Sequence, residues 1–296
     1  MVHPSQESRV REWVKSQTDG LCESPHDRPA KWCIVLTAYL DETGQHEQGI
    51  VFVAGFMGKK DAWERCAAAW KAGLGRKQSL HMADLRFKKD RDKTLLERLG
   101  PIPEASGLMK VFGSVDAADY SDLIEGTVGE VYASGFCLAL VPLVGSILKN
   151  LPDDERIQLL FEESESLAFY RERMLSLIAR LPQFNGKPNR GQIAGWEAIP
   201  KGSTCLFEPA DYLCYALSHL PCDPEAVRRK WSQPILGDTP LIGDHLSRDR
   251  ARRLLSHLNS PDYQKKYPKT TIKAYKAALK AGTIPDPWKD TFDPDW

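Results

Sequence analysis

The chain has 296 residues, of which 42% are hydrophobic, and its 40 Lys and Arg balance 40 Asp and Glu. This composition is typical of a globular protein with one large or two small domains, and it excludes attraction of the whole molecule to polyanions. The longest apolar stretch, residues 135–148, is too short to span a bilayer, and no secretory signal opens the chain, so we expect a cytoplasmic protein without a membrane partner. Seven cysteines without a CxxC pair argue against a disulfide framework and a structural zinc site.

Basic residues are concentrated near the carboxyl end. Residues 226–280 contain thirteen Lys or Arg and four Asp, a balance of +9, which leaves −9 on the remainder. Such a segment can hold a nucleic-acid backbone, although a solvated helical face without a partner explains the charge equally well. The candidate contacts are Arg248, Arg250, Arg252 and Arg253.

Apolar periodicity divides the chain into a polar arm (residues 1–30), a main domain (31–225) and a basic, mainly helical extension (226–296). In the first half, the pattern predicts strands at 34–41, 49–58 and 107–115, and helices at 61–74, 92–99, 120–124 and 135–149. In the second half, it predicts strands at 157–161 and 192–199, and helices at 167–181, 209–220, 248–258 and 270–281. A hairpin followed by strands that alternate with helices indicates an α/β fold, with a mixed sheet flanked by helices.

Acidic residues stand where three of these elements begin or end. Asp41 and Glu42 close the first strand, Glu162 and Glu163 close the strand at 157–161, and Asp211 lies in the first turn of a late helix. Alternation along the strand favours Glu162 only slightly over Glu163.

If these acids meet at one edge of the sheet, their mutual repulsion implies a bound cation, and an all-oxygen ligand set favours Mg²⁺ or Mn²⁺. Two such ions can activate water and stabilise the leaving oxygen of a phosphodiester. The alternative is that the acids are unrelated caps and surface residues.

Several short motifs occur in a defined order across residues 32–220: Tyr39-Leu40-Asp41-Glu42-Thr43-Gly44, Val53-Ala54-Gly55-Phe56, Trp63, His81, Asp84 and Pro209-Ala210-Asp211-Tyr212-Leu213. Together they resemble an uncharacterised bacterial and phage family, domain of unknown function 3800, which usually opens on Asp-Glu-Ser-Gly and carries a late Gln-Leu-Ala-Asp helix. The resemblance implies a ribonuclease-H-like fold. Three departures are a threonine in place of the usual serine, Glu208-Pro209 in place of Gln-Leu, and a glutamate in place of the expected central-strand aspartate.

The resemblance also implies roles for individual residues. Asp41 matches the first-strand aspartate that bridges metals in ribonuclease-H-like nucleases, Glu162 or Glu163 the acid that closes the fourth strand, and Asp211 the acid of the final helix. His81 is then a catalytic or phosphate-facing group, with a structural loop histidine as the equal alternative. Lys201 is a candidate phosphate contact, although a solvated loop lysine is the simpler interpretation.

The sequence thus predicts a Mg²⁺- or Mn²⁺-dependent phosphodiesterase acting on DNA or RNA. Asp41, Glu42, Glu162, Asp211 and His81 are its candidate catalytic residues. One alternative is a nucleic-acid-binding module with the same fold and no turnover, and another is an interaction component of a phage-defence or toxin-like system. The pattern predicts neither the type of nucleic acid nor the oligomeric state.

Overall fold

A computed structural model of the protein describes residues 35–43, 49–85, 90–117, 135–164, 191–219 and 227–258, with positions 171, 174, 175, 178, 183, 184, 187 and 188. The strands are β1 (Val35–Thr43), β2 (Ile50–Gly58), β3 (Met109–Asp116), β4 (Arg156–Glu162), β5 (Gln183–Phe184), β6 (Lys187–Pro188), β7 (Ile193–Ile199) and β8 (Leu241–Leu246). The helices are α1 (Lys60–Leu74), α2 (Asp90–Leu99), α3 (Ile102–Ala105), α4 (Gly135–Asn150), α5 (Glu208–His219), α6 (Val227–Leu236) and α7 (Arg248–Leu258). Two short 3-10 helices cover Met82–Asp84 and Cys205–Phe207.

Six strands form one mixed sheet in the order β7-β4-β1-β2-β3-β8, and β5 pairs with β6 separately. β2 is antiparallel to both β1 and β3, whereas β4 is parallel to β1, β7 to β4 and β8 to β3. It follows that β1, β3, β4, β7 and β8 all run in one direction, and their carboxyl ends lie at a single edge of the sheet. We call this edge the carboxyl edge.

The sheet separates two hydrophobic clusters, because alternate residues of a strand point to opposite faces. Leu36, Ala38 and Leu40 pack on the side of α4, which is apolar nearly all round and buried. The opposite side carries α1 and α5, whose Trp70 and Tyr212 are fully buried. Helices therefore cover both faces of the central strands.

A glycine sets the distance between α4 and the sheet. A Cβ atom on Gly113 of β3 would lie 2.0 Å from the carbonyl oxygen of Ala139 and 2.7 Å from the backbone nitrogen of Leu143. The backbone of α4 therefore rests directly on β3, a contact that no other residue type permits.

The prediction of an α/β fold with a mixed sheet flanked by helices is confirmed. Observed bounds of the predicted strands and helices differ from the expected ones by no more than about two residues. β8, α6, the single turn α3 and the β5–β6 pair were not predicted. Because β8 pairs with β3, part of the predicted extension contributes to the main sheet.

Some predictions lie outside the described residues. They are the arm at 1–30, the helices at 120–124 and 270–281, and most of the helix at 167–181, of which Arg171, Met174, Leu175 and Ile178 are described and helical. Within the described ranges, none of the helices has the length and apolar character needed to cross a membrane.

Candidate active site

The candidate site lies at the carboxyl edge, where Asp41 and Glu42 are among the last three residues of β1 and the neighbouring β4 ends in Glu162. Leu40 pairs with Phe161 in the parallel register of these strands, so the acids that follow emerge side by side. The parallel pairing of two apolar strands therefore brings together carboxylates that are separated by 121 positions in the chain.

Asp41 is the most strongly perturbed of these acids. Burial raises the pKa of its carboxyl well above the ordinary value, and the charges of Asp211, Glu42 and Glu162 raise it further. One hydrogen bond, from the backbone N–H of Glu42 to Oδ1 of Asp41 at 2.9 Å, acts in the opposite direction. The charges of three other acids, on β1, β4 and α5, thus act on the carboxyl of Asp41.

The pKa of Glu42 is also raised, and two nearby cations partly oppose the increase. Burial raises its pKa to about 7, Glu162 adds to the increase, and the cations of Arg171 and Lys201 oppose it. The Arg171 guanidinium lies over the ring of Phe161 at 4.7 Å and donates to the carbonyl oxygen of Glu162 at 3.4 Å. Arg171 therefore brings a positive charge to the acidic cluster, a contribution that sequence analysis missed.

The structure distinguishes Glu162 from Glu163. Glu162 is the last residue of β4 and its charge contributes to the raised pKa of both Asp41 and Glu42. Glu163 is exposed, and its backbone N–H donates to the carbonyl oxygen of Ile199 at 2.8 Å. Lys201 approaches the cluster through its Nζ, 3.6 Å from Oε2 of Glu162, with 70% of its side chain exposed.

Asp211 reaches the cluster from α5. The helix is fixed against the strands by buried Cys214, whose thiol donates to the carbonyl oxygen of Asp41 at 3.1 Å. Oδ2 of Asp211 accepts from the backbone N–H of Met82 and lies 2.9 Å from Nδ1 of His81. Asp211 therefore joins two groups of the site, the carboxylates of the strands and the segment that carries His81.

The contact with Asp211 selects one tautomer of His81. Oδ2 of Asp211 already accepts from Met82 and acts as an acceptor towards the ring as well, so Nδ1 donates, and in the neutral imidazole Nε2 then has a free lone pair. The side chain is 49% exposed, so this lone pair can face solvent or a substrate. His81 thus has the arrangement of a general base that is oriented by an aspartate.

Glu208, one turn before Asp211, has hydrogen-bond partners of its own, although the charge of Asp211 also acts on it. Its Oε2 accepts from Nε1–H of Trp70 at 2.7 Å and from the backbone N–H of Leu80 at 2.9 Å. Burial raises the pKa of this carboxyl, while both hydrogen bonds oppose the shift. Spacing in the sequence placed Glu208 and Asp211 on one face of the helix but could not show which groups each acid contacts.

The aromatic residues near the site belong to the packing of the fold. Tyr39 makes edge-on contacts with Trp63 and Phe207 at centroid distances of 4.6 and 5.1 Å. The indole N–H of Trp63 donates to the carbonyl oxygen of Thr37 at 2.9 Å. Only 3% of Trp63 is exposed, so its ring cannot stack on a base.

The predicted basic contacts lie on α7, which begins two residues after β8 and therefore at the carboxyl edge. Arg250 forms a salt bridge with Asp244 at 2.5 Å and Arg252 one with Asp249 at 3.5 Å. Arg248, Arg252 and Arg253 are exposed. The basic helix and the acidic cluster thus lie at the same edge, separated by the width of β2 and β3.

A second polar group occupies that part of the edge. Ser114 of β3 lies 3.1 Å from Nδ1 of His245 of β8, and Nε2 of His245 lies 3.4 Å from Asp116. Ser114 is only 4% exposed, so its hydroxyl is not accessible as a nucleophile. The group links β3 to β8.

The chemical nature of the acidic side chains suits a hard divalent cation. Asp41, Glu162 and Asp211 supply only oxygen, and a cation would relieve the repulsion that raises the pKa of Asp41. The geometry is not that of a closed coordination sphere, because the residues that the structure describes contain no group of three or more His, Cys, Asp or Glu side chains placed to hold a metal ion.

Comparisons of the chain with protein-family models, with curated proteins and with solved structures find no significant match. The family resemblance of its motifs therefore stays a prediction, and the function is inferred from the geometry of the site.

Proposed function

We propose that the protein is a nuclease of ribonuclease-H-like fold that hydrolyses phosphodiester bonds of DNA or RNA with Mg²⁺ or Mn²⁺. The observation that carries the proposal is that the charges of Asp211 on α5 and Glu162 on β4 act on the carboxyl of Asp41 on β1, at one edge of the sheet. Carboxylates gathered without a partner cost free energy, and a catalytic cation is the common reason for gathering them.

The topology supports the finer assignment of the fold. β1, β2 and β3 form an antiparallel set, and β4 and β7 extend it in parallel from β1. Acids on the first strand, the fourth strand and a later helix are the placement that the resemblance to domain of unknown function 3800 implies. We therefore propose that the protein is a member of that family.

In the proposed reaction, Asp41, Glu162 and Asp211 would hold the cation, which supplies activation of the attacking water and stabilisation of the leaving oxygen. Glu42, adjacent to Asp41, adds negative charge that favours the bound cation. His81 accepts a proton at Nε2, while Asp211 holds its Nδ1–H in place. Lys201, exposed beside Glu162, contacts the phosphate of the substrate.

The position of α7 supports a nucleic-acid partner. Asp41 is in register with Gly243 of β8 through β2 and β3, and adjacent strands are about 4.8 Å apart, so the three steps across the sheet place that part of β8 about 14 Å from Asp41. This distance across the sheet equals about four nucleotides at the roughly 3.4 Å rise of one strand in a duplex, and α7 begins five residues further along the chain. A backbone that runs along the carboxyl edge can therefore contact Arg252 or Arg253 and still reach the acidic cluster.

The decisive experiment compares Asp41→Asn with Asp116→Asn, which removes an acid from the same edge outside the cluster. Each variant is tested for Mn²⁺-dependent cleavage of single- and double-stranded DNA and RNA, and for its melting temperature with and without Mn²⁺. We expect Asp41→Asn to remain folded, because it removes a like charge, and to lose most cleavage and most stabilisation by the metal. Asp116→Asn should match the parent in both assays.

Two results would contradict the proposal. Parent-like cleavage and metal stabilisation in Asp41→Asn would exclude the acidic cluster as the site. A metal response without cleavage of any nucleic acid would favour the alternative of a binding module, which is consistent with the open arrangement of the acids among the described residues.

A further inference from the structure

A pair of acids on α5 fixes the segment that carries His81. Glu208 accepts from the N–H of Leu80, and Asp211 accepts from the N–H of Met82, both at 2.9 Å. The side chains of Leu80 and Met82 are 2% and 1% exposed, so these amides have little access to water as an alternative partner. His81 stands between two anchored backbone positions.

The spacing of the two acids matches the spacing of the two amides. His81 is extended, with φ −131° and ψ 121°, so the N–H groups before and after it point to the same side, about 6.6 Å apart along the chain. Glu208 and Asp211 are three residues apart on the first turn of a helix, on the same face and about 4.5 Å apart along the axis. An extended segment can therefore lie against the first turn of α5 with both amides satisfied.

Glu208 is itself fixed from a second direction. Its Oε2 also accepts from the indole N–H of fully buried Trp70 at 2.7 Å, so the orientation of the carboxylate does not depend on Leu80 alone. Glu208 is not among the charges that raise the pKa of Asp41. Its contacts are those of a supporting group, directed at Trp70 and Leu80.

We propose that Glu208 is a positioning residue for His81. By fixing Leu80, it restricts the backbone on the amino side of His81, and Asp211 restricts the carboxyl side, so the imidazole keeps Nδ1 on Asp211 and Nε2 directed outward. The importance of this arrangement for cleavage rests on the proposed function. The arrangement itself is a property of the protein without metal or substrate, so the test uses the metal-free protein.

The test uses two substitutions at position 208 in metal-free protein. Glu208→Gln keeps an oxygen acceptor at the same reach, whereas Glu208→Asp keeps the charge but is shorter by one methylene and cannot contact Trp70 and Leu80 together. NMR spectroscopy measures amide hydrogen exchange at Leu80 and Met82 and the Nδ1–H tautomer of the His81 ring. Glu104→Gln is the control, because Glu104 binds buried Lys110 at the opposite edge of the sheet.

In Glu208→Asp, we expect exchange at Leu80 to accelerate at least about tenfold, faster exchange at Met82 and a smaller Nδ1–H fraction at His81. Glu208→Gln should stay within about twofold of the parent, and Glu104→Gln should leave all three signals unchanged. A purely structural role for Glu208 would lower the melting temperature without moving the tautomer.

Parent-like exchange at Met82 and a parent-like His81 tautomer in Glu208→Asp would overturn the inference, whatever the fate of the nuclease assay. Loss of the tautomer signal in Glu208→Gln to the same degree as in Glu208→Asp would also overturn it, because charge rather than reach would then be decisive. Failure of the nuclease assay alone would refute the proposed function and leave the positioning of His81 intact.

Discussion

Glu155 is a buried acid at the start of β4, away from the carboxyl edge. It is 2% exposed, and neither of its carboxyl oxygens has a hydrogen-bond partner among the residues that the structure describes. Burial raises its pKa from 4.5 to about 7, with the charge of Asp154 as a second cause and Lys59 in opposition. The protein therefore stabilises the protonated form of this carboxyl.

This shift predicts a dependence of stability on pH. The folded state binds a proton that the unfolded state releases, so the contribution of Glu155 is complete below pH 4.5 and is lost as the pH rises to about 7. The loss amounts to at most about 3.5 kcal/mol, since one pKa unit corresponds to about 1.4 kcal/mol. Glu155→Gln should remove this part of the slope in urea unfolding measured from about pH 4.5 to about pH 8.

Asp153→Asn is the matched control for Glu155→Gln, because it makes the same change of charge at an exposed neighbour. Its unfolding free energy should keep the slope of the parent. An unchanged slope in Glu155→Gln would show that Glu155 is ionised in the folded protein at neutral pH.

Sequence reasoning located the acids of the site but not their contacts. The apolar run of β1 and the apolar pattern of α5 revealed Asp41 and Asp211, because the first acid follows its run and the second precedes most of its pattern. The choice between Glu162 and Glu163 needed the end of β4 and its pairing with β1. The separate partners of Glu208 and Asp211 depend on residues about 130 positions earlier, which no local pattern contains.

At the scale of elements, the contact of α4 with β3 predicts unequal effects of two glycine substitutions. Gly113→Ala should lower the unfolding free energy by about 2–3 kcal/mol, because its Cβ would overlap the backbone of α4. Gly195→Ala in β7 is the control, since nothing lies within 4 Å of a Cβ there and φ is ordinary. It should be neutral or slightly stabilising. Equal losses in chemical unfolding of the two variants would contradict the close approach.

The exposed arginines of α7 give a prediction about binding. Replacing Arg252 and Arg253 together by alanine should weaken binding to nucleic acid and reduce the slope of log affinity against log salt by up to about 2, one unit for each phosphate that the protein no longer neutralises. Lysine at both positions keeps the charge and should keep the slope. Fluorescence anisotropy at several salt concentrations measures the affinity and its slope. A slope that the two alanine substitutions leave unchanged would show that this face of α7 is solvated and does not contact nucleic acid.

Strands with continuous apolar runs were predictable from the sequence, and two of the missed elements, β8 and α6, show why others were not. β8 reads Leu241-Ile242-Gly243-Asp244-His245-Leu246, with a glycine and two polar residues among six, because it lies at the border of the sheet. α6 contains Pro234, which ordinarily ends a helix, and a basic first half. Tertiary contacts with β3 and α5 stabilise them where the local pattern is weak.

At the scale of the molecule, the pairing of β8 with β3 predicts that the described residues 227–258 unfold together with the rest of the sheet. Ile242 is 4% exposed, in the same hydrophobic cluster as Leu36 and Leu40. Ile242→Ala should therefore lower the midpoint of one common urea transition, at a cost of about 2–4 kcal/mol. Val35→Ala, at a side chain that is 44% exposed, should cost much less.

Circular dichroism and tryptophan fluorescence can follow that transition, because the first reports on the helices and the second on the eight tryptophans, which include Trp63 and Trp70 in α1 and Trp231 in α6. Coincident curves that shift together in Ile242→Ala are expected. Two transitions, of which Ile242→Ala shifts only one, would instead describe an extension that folds independently of the sheet.

The thiol of Cys214 gives the protein an internal reporter of local opening. It donates to the carbonyl oxygens of Asp41 and Ala54, and burial, with the neighbouring charges of Asp41 and Asp211, raises its pKa well above the ordinary value. A protonated thiol in this position does not react with alkylating reagents while α5 rests on the sheet. The rate at which Cys214 becomes labelled therefore measures how often α5 separates from β1 and β2. Because α5 carries Asp211, each such opening also separates Asp211 from the acids of β1 and β4.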